Sequence, residues 1–217
     1  MIKPAFHHAN LKTTRLQEMI DWYGVVVGTK VNFQSSNIAF TSNDRASHRI
    51  AFLAVPGLRD DPEQFVHTGI HHTAFEYDSF DDLMSSFARL KQLGIEPEIC
   101  LNHGLTTSLY YSDPDQNLVE LQADNFGNWE ASTEWMRTSE DFHQNPIRAF
   151  FDPDRVFCRL PGRCDVRAAA KGHVRGSISP FEAAESASPS GRLTSLPMVR
   201  SKECNPRCCC HGSSRKV

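Results

Sequence analysis

Cysteine is nearly absent from the part of this chain that carries most of its aromatic residues. The first 157 of 217 residues hold one, Cys100. No disulfide framework can form there, and a reducing compartment is the natural setting. No apolar run approaches the roughly 20 residues of a membrane-spanning helix. The opening Met-Ile-Lys-Pro-Ala-Phe-His-His has no apolar signal core. We therefore expect a cytoplasmic protein without a membrane partner. Large net charge is missing too: the formal value is −3, with 40% hydrophobic residues. That composition excludes collagen, a coiled coil and a wholly disordered chain.

The averages conceal two unlike parts. Residues 1–164 carry a net charge of −8 with every Trp and Tyr, whereas residues 165–217 carry +5 and one aromatic residue, Phe181. The basic part cannot bury enough apolar area to offset its ordering entropy, so a disordered tail is expected over 158–217. Its scattered charges lack interleaved aromatic residues, and no nucleic-acid partner is expected. Cys204, Cys208, Cys209, Cys210 and His211 suggest zinc. Three adjacent Cys do not easily face one tetrahedral ion, so no structural site is expected there.

What is present is a repeat. Phe-His-His-Ala-Asn-Leu-Lys at 6–12 returns as Ile-His-His-Thr-Ala-Phe-Glu at 70–76, an offset of 64 residues. Each is a short alternating run, as a half-buried strand should be. Each precedes a helix-like segment, Leu16 to Val27 and Phe80 to Leu93, the second capped by Asp78-Ser79 and closed by Gly94. Three strand-like runs then follow in each copy. The pattern predicts an α+β fold of two tandem βαβββ modules, 1–56 and 68–126, joined by a linker at 57–67. A C-terminal extension at 127–157 is expected to pack on the core.

His8 and His72 occupy equivalent positions, and Glu120 interrupts the apolar strand Leu118-Val119-Glu120-Leu121. An unpaired carboxylate on such a strand would be costly. Two imidazoles and a carboxylate make the facial triad that leaves open positions on Fe(II). We therefore expect His8, His72 and Glu120 to be metal ligands, with the modules forming a half-open barrel around the ion. Alternation puts the neighbours His7 and His71 on the opposite face, as structural residues.

The motifs His8-Ala-Asn-Leu, His72-Thr-Ala-Phe and Tyr110-Tyr-Ser-Asp-Pro-Asp-Gln-Asn-Leu-Val-Glu120 carry a family resemblance. The sequence resembles the vicinal oxygen chelate superfamily, which includes glyoxalase I, bleomycin and fosfomycin resistance proteins and type I extradiol dioxygenases. Within it, the chain is most similar to single-domain extradiol dioxygenases of the biphenyl-2,3-diol 1,2-dioxygenase type. The likeness runs from about residue 5 to Asp154, through Asn145-Pro-Ile-Arg-Ala-Phe-Phe-Asp-Pro-Asp.

The resemblance implies an Fe(II) enzyme, with Mn(II) as an alternative ion, that opens a catechol-type substrate with O2 and assembles as a homo-oligomer. Glyoxalase I has a carboxylate at the end of each copy, but Ala46 to Val55 contains no Asp or Glu. Three ligands in place of four suit the dioxygenases. His48 resembles the family's proton-handling histidine, and His103 a second active-site histidine. Tyr110, ten residues before Glu120, resembles the substrate-side tyrosine. A glyoxalase-like isomerase or transferase, or a non-catalytic binding or resistance protein, is the alternative. Gln116 departs from the family by standing where a turn usually has Gly.

Overall fold

The computed structural model describes residues 1–160; the basic tail and its cysteine cluster lie outside them from residue 161. Residues 1–153 form one compact unit, and α5 is the short helix Pro153–Phe157. The fold is α+β, with two mixed sheets. β1 (Ala9–Thr13), α1 (Leu16–Val26), β2 (Lys30–Gln34), β3 (Ile38–Ser42) and β4 (Ile50–Ala54) come first. β5 (His72–Tyr77), α2 (Phe80–Gln92), β6 (Ile99–Asn102), β7 (Thr106–Ser112) and β8 (Leu118–Asp124) repeat that order. The sheets run β1-β4-β3-β2 and β5-β8-β7-β6-β9, where β9 is Ala149–Phe150. In each, the strand before the helix lies parallel to the last strand, and the other pairs are antiparallel.

Local chemistry accounts for the helices. Ser79 Oγ accepts the backbone N–H of Asp82 at 3.1 Å, and Asp81 and Asp82 complement the positive end of α2. Leu83, Met84, Phe87 and Leu90 recur at helical spacing and are buried. α1 buries Met19, Ile20, Tyr23 and Val26 in the same way. Each large side chain so buried stabilises the fold by roughly 1.5–3 kcal/mol.

The two modules share a core. Met19, Ile20, Tyr23, Ala39, Ile50 and Phe52 from the first pack with Val119 from the second, and Leu11 and Phe75 lie against them. Tyr23 donates its phenol hydrogen to Asp113 Oδ2 at 3.2 Å, a bond buried across the module boundary. Asp113 organises the turn after β7, because Oδ1 accepts the N–H groups of Asp115 and Asn117, each at 2.9 Å. Gln116 in that turn has φ 66°, so the chain keeps the left-handed conformation without the glycine that favours it.

The connecting segment is fastened at both ends. Arg15 pairs with Asp60 and, at 2.6 Å, with Asp115. Gln64 opens a 3-10 turn (Gln64–Val66), and its Nε2 donates to the Gln116 carbonyl at 2.8 Å. The extension after β8 holds α3 (Trp129–Thr138) and α4 (Glu140–Gln144) and returns as β9 beside β6. No helix among the described residues is long and apolar enough to cross a membrane.

Candidate functional site

The central strands of the second sheet bring polar side chains together on one face. Cα partners across β5, β8, β7 and β6 run Ala74, Glu120, Tyr110 and Ile99. Directly paired residues point the same way, and so do residues two apart. His72, two before Ala74, and Ser108, two before Tyr110, therefore belong to that face. His72 Nε2 lies 3.0 Å from Glu120 Oε2, and the Tyr110 hydroxyl donates to Oε1 at 2.9 Å. His103 Nε2 meets the same hydroxyl at 3.0 Å. A chain of contacts thus links His103, Tyr110, Glu120 and His72.

Glu120 is 5% exposed. Burial by itself would raise its pKa. Hydrogen bonds from His72, Ser108 and Tyr110, with the attraction of His72, outweigh burial and hold the carboxyl below its ordinary value. The group is an anion at neutral pH, as a metal ligand must be. Burial, and then the charge of Glu120, raises the Tyr110 phenol, which stays protonated as a donor. Leu101 and Leu118 flank Tyr110 in an apolar cluster, with Ile99 and Ile147 packed against it. Gly104, at φ 86°, sits where a Cβ would strike the Trp135 ring, so glycine lets the extension close against the loop that carries His103.

His8 and His48 form a second group. Their ring centroids are 4.3 Å apart, and His48 also stacks on Phe40 at 4.7 Å. Burial, then the neighbouring His8 and His7, lowers the His48 pKa and favours its neutral form. Among the described residues, the three potential donors gathered within 4.8 Å of one another are His7, His8 and His48. The expected set of His8, His72 and Glu120 is not gathered to that distance.

His7 was expected to face away, and the reason it does not is local. β1 starts at Ala9, where pairing with Ile50 begins, so His7 and His8 lie ahead of the strand and are free of its alternation. Sequence reasoning also passed over Ser108, which bonds Glu120. Its place two residues before Tyr110 on the same strand was the available signal.

Two imidazole–carboxylate donors 3.0 Å apart match the spacing of adjacent ligands, about 3.0 Å for bonds near 2.1 Å at right angles. This pair therefore fits two positions of a divalent ion. Residues 5–121 match the model of the Glyoxalase/Bleomycin resistance protein/Dioxygenase superfamily. The chain is 41% identical over 150 residues to a Rhodococcus globerulus protein named biphenyl-2,3-diol 1,2-dioxygenase 2, covering 69% of this chain and 78% of that one. It is 39% identical over 152 residues to biphenyl-2,3-diol 1,2-dioxygenase 3 of the same organism, covering 70% and 80%. A lactoylglutathione lyase structure from Agrobacterium tumefaciens aligns at 20% identity and a TM-score of 0.46, over 56% of this chain and 94% of that one.

Proposed function

The chain belongs to the Glyoxalase/Bleomycin resistance protein/Dioxygenase superfamily, and from that premise we propose that it is an extradiol ring-cleaving dioxygenase acting on a catechol-type substrate. The observation that carries this reading is the buried, ionised Glu120 facing His72 and held by Tyr110. His72 and Glu120 would hold the metal, with His8 as the third donor. Bound there, Fe(II) supplies Lewis acidity that makes catechol hydroxyls more acidic, and open positions for substrate and O2; Mn(II) suits the same donors.

The chain's own residues do the rest. Tyr110 orients the carboxylate through its 2.9 Å bond, and His103 fixes the phenol from the other side at 3.0 Å. Ile99, Leu101, Leu118 and Ile147 form an apolar wall for an aromatic ring. His48, neutral because burial and its imidazole neighbours lower its pKa, accepts a hydroxyl proton at a ring nitrogen and returns it later. A reducing cytoplasm suits ferrous iron and a Cys100 thiol that lies outside any disulfide. Assembly with further copies belongs to the same reading, since edge strand β2 leaves Val31 and Phe33 exposed.

The test is anaerobic purification, reconstitution with Fe(II), addition of 2,3-dihydroxybiphenyl or catechol, and then air. A yellow ring-opened product with one O2 consumed per substrate, lost in His72→Ala, is expected. Iron binding without O2 uptake would reassign the protein to a non-oxygenase of the superfamily. Failure to bind any metal would turn the reading towards a small-molecule binding protein.

A further inference from the structure

The three imidazoles of the first module are gathered by features separate from the Glu120 network. Ala9 N–H donates to the Arg49 carbonyl at 3.0 Å, and Arg49 Nη1 donates back to the His7 carbonyl at 2.9 Å. These two bonds fasten the segment before β1 beside the His48–Arg49 strand entry. His7 Nδ1 and His8 Nδ1 are consequently 3.1 Å apart, and the His48 ring is centred 5.1 Å from His7 and 4.3 Å from His8. One donor nitrogen from each of the three rings lies within 4.8 Å of the other two. In a tetrahedral site with metal–nitrogen bonds of about 2.0–2.1 Å, ligand atoms stand about 3.3 Å apart. The His7–His8 spacing is already close to that value.

We infer that His7, His8 and His48 form a second metal site, selective for a borderline divalent ion of the zinc class. Three imidazoles without a carboxylate favour such an ion over hard cations such as magnesium, calcium or manganese. His7 and His8 are exposed, so an ion has an entry path, and a water completes four-coordination. A consequence rests on the function proposed above. His8 cannot serve both sites, so zinc held by the trio withdraws one ligand from His72 and Glu120. Zinc then inhibits iron loading from a neighbouring site without displacing bound iron.

The experiment uses Co(II) alone as an optical probe of the full-length chain carrying His72→Ala and Glu120→Ala, which removes the proposed iron site. One equivalent with the intense visible absorption of tetrahedral cobalt is expected, and adding His7→Ala abolishes it. The cysteines of the tail are distinguished by near-ultraviolet thiolate-to-cobalt absorption, which the trio cannot produce. No visible band, or only thiolate-ligated cobalt that His7→Ala leaves unchanged, overturns the site. A second measurement guards against a double variant that fails to fold. His7→Ala alone should weaken zinc binding at least tenfold in equilibrium dialysis. Unchanged zinc affinity there also overturns the inference. Neither readout depends on catechol turnover, so the dioxygenase reading stands or falls separately.

Discussion

The two modules share one scaffold and differ in what they hang on it. Across β5, β8, β7 and β6 the paired positions are Ala74, Glu120, Tyr110 and Ile99; across β1, β4, β3 and β2 they are Asn10, Ala51, Phe40 and Phe33. Both ladders have a histidine two residues before the first position, His72 or His8. The second module therefore has a carboxylate and a phenol where the first has a methyl group and a phenyl ring. Both sheets tolerate their cargo because each ladder is internally consistent. Glu120 is buried with three hydrogen-bonding neighbours, and Ala51 is buried with nothing to satisfy. A duplicated frame can thus keep its backbone bonding and gather its anionic chemistry in one half.

The comparison breaks most severely at Glu120. Glu120→Ala gives the second ladder the residue of the first, and ring cleavage should fall by more than the roughly 10–100-fold typical of a supporting residue. Oxygen uptake and retained iron after gel filtration measure it. The converse change, Ala51→Glu, puts an unpartnered carboxylate at a position 1% exposed and should cost about 3 kcal/mol in urea unfolding. Tyr110→Phe copies Phe40 into the second ladder. It removes the 2.9 Å bond to Glu120 and should lower turnover about 10–100-fold and stability by about 1 kcal/mol.

Acid should separate the modules further. The folded state holds Glu120 below its ordinary value of 4.5, so the unfolded chain takes up that proton first as pH falls. The stabilisation is present above that value and lost as pH drops through the lower folded pKa. The stability gap between the wild type and Glu120→Gln should therefore close in acid, as urea midpoints would show. His48 acts at milder pH. Its folded pKa is depressed below 6.5, so the unfolded chain protonates first and stability declines as pH falls through that range. The smallest effect is at the turn: Gln116→Gly relieves a left-handed residue and should stabilise by up to about 1 kcal/mol in thermal unfolding.

The frame was legible because its signals are local. Alternating runs beginning at two His-His pairs, a capped helix and strand-length apolar segments reproduce the element order of both modules to within a few residues. Glu120 was legible as a buried charge needing partners, and Tyr110 through its resemblance. What could not be read were contacts made at long range. Arg15 reaches Asp115 across 100 positions, and Tyr23 reaches Asp113 across 90. β9 is two residues long, too short for any periodic pattern, and is defined by its pairing to β6. The grouping of His7 with His48 depended on where β1 starts, which the pairing with β4 sets and the alternation of residues 6–12 does not.

Val119 packs among the residues of the first module's core, and Phe75 lies against them. The first module's interior is completed by side chains of the second. Separately expressed halves should be largely unstructured and recover one folded body on mixing, and the intact 1–153 unit should melt in a single step. Val119 ties the interior of one module to a strand of the other.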